Sequence, residues 1–281
     1  KTNTMKNLKM YFFALLIISF VSCNKEEDEK PVENVDSEMV GANMTADFTS
    51  ELDFNSGIDL ANNNSSYSNK TTNEVSVVPA CATVTVNNTM PGVFPKIFTV
   101  DFGTGCTQNG ITRSGILTIT LSGYVMNNGS TMTIERSNYY VNLRKIEGTV
   151  VYTNETTNSS IPQWTRTLTN GQITFPNGAI FTHSGTRTVR QTAGVSTGIL
   201  ADNIYEVISG THTVNRPNGS TLTSTIVQPL IKKYACNYIS QGQLNLQGTV
   251  LNGILDYGNN ECDNLATYFH NPNGVTYNVN L

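Results

Sequence analysis

The 281-residue sequence predicts an all-β protein, an antiparallel meander forming a sandwich or a curved, barrel-like sheet, with one short N-terminal helix. Three observations predict it. Runs such as Ala82–Val86, Leu117–Leu121 and Val275–Val279 alternate apolar and polar residues, the period of a strand with one buried face. Seven Asn-Gly pairs, beginning at Asn109, Asn128, Asn170, Asn177, Asn218, Asn252 and Asn273, punctuate such runs. Asn-Gly accepts positive φ at both central positions of a tight turn and is a strong hairpin signal. After Cys81 no stretch keeps helical periodicity over an ordinary helix length, which leaves room for about 11 to 14 strands.

The first segment, residues 1–22, reads as a lipoprotein signal peptide. Lys6 and Lys9 precede an apolar run from Met10 to Val21, and Phe20-Val21-Ser22-Cys23 resembles a lipobox. About a dozen apolar residues are too few for a membrane-spanning helix of about 20. Cys23 is therefore expected to carry the lipid, and acyl chains rather than protein would hold the molecule to the membrane. The run that follows, Asn24, Lys25, Glu26, Glu27 and Asp28, resembles the surface-export signal of Bacteroidota lipoproteins. That resemblance implies an outer-membrane protein facing the cell exterior.

Residues 23–80 read as an acidic tether holding a short helix and a polar linker. Within it Ser37 to Asp53 can form a helix, with Ser37 as N-cap and Met44, Phe48 and Leu52 on one face. Asn62 to Asn73 is rich in Asn, Ser and Thr, with too little apolar surface to order itself, and reads as a linker. Charge divides the same way. Asn24–Ala80 holds twelve acidic and three basic residues, and Cys81–Leu281 holds nine acidic and eleven basic. The first part thus reads as a stalk and residues 81–281 as the folded β-rich domain. Charged residues are only 14% of the chain. Without a basic cluster to neutralise phosphates, nucleic acid is not an expected partner.

Apart from Cys23, four cysteines remain: Cys81, Cys106, Cys236 and Cys262. Export into an oxidising compartment predicts two disulfides. Spacing favours one pairing, because 24 residues separate the first two cysteines and 25 the last two. Each second cysteine follows a matching phrase, Val100-Asp101-Phe102-Gly103 or Leu255-Asp256-Tyr257-Gly258. The expectation is a repeated hairpin closed at its open end by a disulfide, with turns at Pro91–Pro95 and near Thr249. No CxxC pair occurs and His183, His212 and His270 lack ligand spacing, so no metal or other cofactor is expected.

The segment Tyr234-Ala235-Cys236 through Leu255-Asp256-Tyr257-Gly258 to Cys262-Asp263-Asn264-Leu265-Ala266-Thr267 resembles a group of uncharacterised Bacteroidota lipoproteins. In that group a cysteine-bearing strand leads to an Asp-Tyr-Gly-Asp-Gly-Thr-Cys-Asp-Asn phrase. Asp101–Cys106 followed by Arg113-Ser114-Gly115 resembles the group's first half. The chain departs from the phrase at Asn259-Asn260-Glu261. The resemblance runs from about Cys81 onward and implies a surface location and a β architecture, with no activity and no catalytic residue to carry over.

Few residues suggest chemistry. Asp256, Asn259, Asn260, Glu261 and Asp263 are oxygen donors, but their spacing matches no EF-hand and they read as turn residues. Glu135, Glu147, Glu155, Asp202 and Glu206 form no recognisable pair of catalytic carboxylates. His183 and His212 read as solvated groups in Thr-rich strands. Tyr139, Tyr140 and Trp164 are the candidates for a weak ligand platform, with adjacent Tyr139 and Tyr140 pointing to opposite faces. Arg166, Arg187 and Arg190 are candidates for an anion patch. The sequence-level reading is a non-catalytic surface lipoprotein: a binding or adhesion module, or an accessory subunit of an outer-membrane assembly. A surface glycan or an outer-membrane protein is its expected partner. The alternatives are a carrier sheltering an apolar ligand in a curved sheet, and a surface glycan hydrolase.

Overall fold

The computed structural model describes residues 35–63 and 76–281. The expected lipidation site Cys23, the export run Asn24–Asp28, the signal segment 1–22 and most of the polar linker lie outside the described residues. Strand formation after Cys81 follows the alternation. Fourteen strands make one antiparallel sheet: β1 (Thr83–Val86), β2 (Lys96–Asp101), β3 (Cys106–Gln108), β4 (Ile111–Leu121), β5 (Thr131–Val141), β6 (Arg144–Asn154), β7 (Gln163–Thr174), β8 (Ile180–Ala193), β9 (Ile204–Asn215), β10 (Thr221–Lys233), β11 (Gln241–Gly248), β12 (Asn252–Asn259), β13 (Leu265–His270) and β14 (Val275–Asn280). Each strand pairs with the next in sequence, except that β2 pairs with β4 and β3 lies beside β4. This is an open meander, neither the two sheets of a sandwich nor a closed barrel.

Five of the Asn-Gly pairs occupy connections between strands. Asn109-Gly110 takes positive φ at both residues, 50° and 77°, as a type I′ turn demands. Two pairs differ from expectation. Asn170-Gly171 lies inside β7, where the register breaks between Leu168 and Gly171, and Asn252-Gly253 opens β12. Both are consumed by ladders because burial of the flanking apolar residues outweighs turn propensity. Conversely, the β5–β6 turn is Asn142-Leu143, with φ of 47° and 67°.

Register breaks recur within the long strands beside Gly115, Gly148 and Gly171, and near the start of β11 beside Gly242. Bulges bend a strand and raise its twist. The result is a crease across the sheet that lets strands of 11 to 14 residues curl. Gly210 shows why glycine is needed there. Its φ is +106°, and a Cβ would sit 2.1 Å from the Thr186 carbonyl oxygen.

Inside the curl lies α1 (Ser37–Asn63). It differs from the expected helix at both ends. Its N-cap is Asp36, whose Oδ1 accepts the Met39 N–H at 3.0 Å, rather than Ser37. It also runs ten residues past Asp53, because Phe54, Ile58 and Leu60 bury against the sheet and override the poor helix formers Asn55, Ser56 and Gly57. Every residue from Ala42 through Leu60 is buried. Phe54 is central, its ring 4.6 Å from Tyr152, 5.1 Å from Tyr205 and 5.6 Å from Trp164. The described residues form one compact unit, Val35–Leu281. The helix is thus a core element of the β body, which differs from a body starting at Cys81 on an acidic stalk.

Both disulfides join the expected partners, Cys81 to Cys106 and Cys236 to Cys262, with Cα–Cα distances of 5.8 and 5.2 Å. The first closes the β1–β2 hairpin, whose connection contains Pro91–Pro95. The second closes the β11–β12 hairpin, which turns at Thr249.

Candidate functional site

A buried helix with polar residues on every side has to satisfy most of them, and α1 does so for all but the Asn43 amide, Glu51 Oε2 and Asn55 Oδ1 among the described side-chain atoms. Hydroxyls do so locally: Thr45, Thr49, Ser50 and Ser56 donate to carbonyls one turn back. Carboxylates reach the sheet. Asp53 Oδ2 accepts from Arg136 Nε and Nη2 at 2.9 and 2.7 Å, and its Oδ1 accepts the Tyr139 hydroxyl at 2.8 Å. Glu51 Oε1 accepts from Arg166 at 2.7 Å. Asp47 Oδ1 lies 3.1 Å from Arg166 Nη2, and its Oδ2 lies 3.5 Å from Arg187 Nη2. At the N-terminal end of α1, Arg216 pairs with Asp36 and Glu38 at 2.7 and 2.9 Å. Toward its C-terminal end, Asp59 accepts the backbone N–H groups of Val77 and Val78.

The strands place this chemistry by register. Met132, Tyr152, Arg166 and Arg187 stand in one cross-strand row on the inner face. Two guanidiniums side by side on a sheet repel each other, and Asp47 offsets this by dividing its carboxylate between them. Burial works against the Arg166 charge, yet Tyr152, Glu51 and Asp47 outweigh it and its pKa is raised. Burial lowers the Arg187 pKa, with Asp47 opposing. Burial likewise raises the Glu51 pKa against the pull of Arg166 and Lys232. Lys232 is pulled down to about 8 by burial, opposed by Glu51. Its ammonium donates to the carbonyls of Lys233 and Cys236, tying β10 to the second disulfide.

His183 and His212 are also inside, not in solvent. Each is at most 3% exposed, and His183 Nδ1 lies 3.1 Å from His212 Nε2. They fit because glycines stand opposite them in the ladders: Gly171 opposite His183, Gly185 opposite His212. A Cβ on Gly185 would lie 2.7 Å from the His212 Cα. Burial lowers both imidazole pKa values well below the usual 6.5. The His183 value is lowered further by His212, and the His212 value by Arg187.

The expected ligand platform is divided between faces. Tyr139 is fully buried and Trp164 is 1% exposed, with its indole N–H donating to the Val125 carbonyl at 3.2 Å. Tyr140 points outward and is 37% exposed. The anion patch is divided too, because Arg166 and Arg187 face α1 whereas Arg190 lies on the outer face paired with Glu206 at 2.7 Å. Asp263 lies in the connection after β12 and accepts the Leu265 N–H, whereas Asp256, read as a turn residue, stands inside β12 paired with Gln243 and Thr267, its Oδ1 accepting the Gly258 N–H. Among the described residues, no cluster of three or more His, Cys, Asp or Glu side chains has metal-holding geometry.

The outer face has a different chemistry. One cross-strand row runs Ile97, Thr120, Thr133, Val151, Thr167, Thr186, Thr211, Thr225, Asn245, Ile254, Phe269 and Thr276, from β2 to β14. The row carries no charge. The fold thus defines a class: an open antiparallel sheet built round one buried acidic helix, with ion pairs inside and Thr-rich ladders outside. No protein-family model matches the chain, and neither does any curated protein or solved structure.

Proposed function

We propose that this is a lipid-anchored outer-membrane protein facing the cell exterior, and that its β body acts without catalysis. Its role is that of a binding or adhesion module, or of an accessory subunit of an outer-membrane assembly. The location rests on the lipobox-like Phe20–Cys23 and the acidic run after it. The non-catalytic role rests on one observation: α1 fills the concave side of the sheet. An apolar cargo would need that space, and the ionisable groups Glu51, His183, His212 and Lys232 are buried within the core that α1 completes. Contact with a partner then falls to the outer face, where the uncharged Thr-rich row suits a surface that binds without reacting.

Two experiments test this reading. Radiolabelled palmitate should enter the wild-type chain and not Cys23→Ser, and an unlabelled wild-type chain would remove the anchor. Affinity isolation of the lipoprotein from outer membranes should recover a stable partner or a bound glycan. Hydrolysis of a surface polysaccharide by the purified protein would overturn the non-catalytic reading.

A further inference from the structure

The sheet ends differently at its two margins. β1 is four residues long, a short edge of the kind that discourages further pairing. β14 has six residues, with no charge, no proline and no break in its ladder to β13. None of the described residues pairs with its other side. The Leu281 N–H donates to the Asn264 carbonyl across the β13–β14 ladder. By alternation, the backbone groups of Val275, Tyr277 and Val279 also face β13, and those of Thr276, Asn278 and Asn280 face outward. The side chains of these last three are exposed. Burial also stops at this strand. The inner residues of β13, Ala266, Tyr268 and His270, are at most 6% exposed. Opposite them, Val279 and Tyr277 are only half-buried and Val275 is 44% exposed.

We infer that β14 pairs with β14 of a second copy of this chain, antiparallel about a two-fold axis at Asn278. An edge without charge, proline or bulge is a template for an added strand. Centring the pair on Asn278 uses the whole strand. Thr276 then faces Asn280 across the interface and Asn278 faces its own counterpart, giving about six hydrogen bonds. On the inner side Tyr277 faces Val279 and Val275 faces Leu281, apolar pairs that cover the side chains the single sheet leaves half-exposed. The match is self-complementary, as a two-fold interface requires. No charged side chain of β14 opposes its copy. The inference goes beyond the role proposed for the outer face, and it rests on neither the lipid anchor nor the absence of catalysis.

The intact chain in neutral detergent provides the test. Its protein mass by light scattering, corrected for detergent, should equal two chains and fall toward one on dilution. Asn278→Pro removes an N–H that β13 does not use, so the β13–β14 ladder survives. It should raise the dissociation constant about tenfold or more. Asn278→Lys sets like charges opposite each other on the axis and should also weaken the pair, which decides the matter if the proline variant fails to fold. Residues paired at the axis have Cα atoms about 5.5 Å apart, within disulfide reach. Asn278→Cys should therefore give a covalent dimer on mild oxidation, and Thr276→Cys should not. A one-chain mass at every concentration, a dimer that the folded variants leave intact, or equal cross-linking at the two positions would overturn the inference. So would growth beyond two chains, since β14 would then join a different edge of the next copy.

Discussion

Arg166 and Arg187 are direct cross-strand neighbours, both at most 2% exposed, and Asp47 of the enclosed helix touches both. Removing one partner of a buried ion pair costs about 3–5 kcal/mol, because the remaining charge stays desolvated. Asp47→Ala should therefore destabilise the protein by roughly that amount in urea titration. Glu38→Ala, at a side chain 42% exposed, should cost under about 1 kcal/mol. Similar losses at the two positions would show that the interior pairs do not fasten helix to sheet.

Acid should loosen the fold through His183 and His212. Both are held below the ordinary imidazole value. Below about pH 6.5 the unfolded chain takes up protons that the folded one refuses, so stability falls as pH drops through that value. Glu51 works the opposite way, since its raised pKa lets the folded state bind a proton first. Two imidazoles outweigh one carboxyl. Unfolding free energy measured from pH 7.5 to 5 should fall, and the slope should flatten in a His183→Gln, His212→Gln variant. An unchanged slope in that variant would assign the acid sensitivity elsewhere.

Glycines in the crease and in the helix should respond in opposite directions to alanine. Gly210→Ala brings a Cβ against the Thr186 carbonyl at a left-handed φ and should cost more than about 2 kcal/mol. Gly41 has nothing within 4 Å of a built Cβ, so Gly41→Ala should add roughly 0.5–1 kcal/mol. Melting curves of the two variants displaced on opposite sides of wild type would confirm both assignments.

Each disulfide closes a chain segment of about 25 residues. On the chain-entropy model, replacing either cysteine pair with serines should lower stability by about 3–4 kcal/mol. Peptide mapping without reduction should recover Cys81–Cys106 and Cys236–Cys262. A Cys81–Cys236 peptide would contradict the hairpin arrangement.

The meander and its hairpin disulfides were legible because each follows from local pattern: alternation for the strands, equal spacing for the cysteines. The ion-paired interior was not. In Thr165-Arg166-Thr167 and Thr186-Arg187-Thr188 the inward residue is as polar as its neighbours, so the period-two signal vanishes where the charged cluster is built. The partners of those arginines lie 115 to 140 residues away, on a helix whose acids sit on every face. An acidic segment beside a body with few charges was the available trace, and it equally describes a solvated stalk.

Amide hydrogen exchange along α1 in the intact chain tests most directly whether the helix belongs to the core. The account predicts that Ala42–Asp53 exchange as slowly as the central strands β7–β10, through global unfolding alone. Exchange of those amides at rates close to an unprotected peptide, while the strands stay protected, would contradict it.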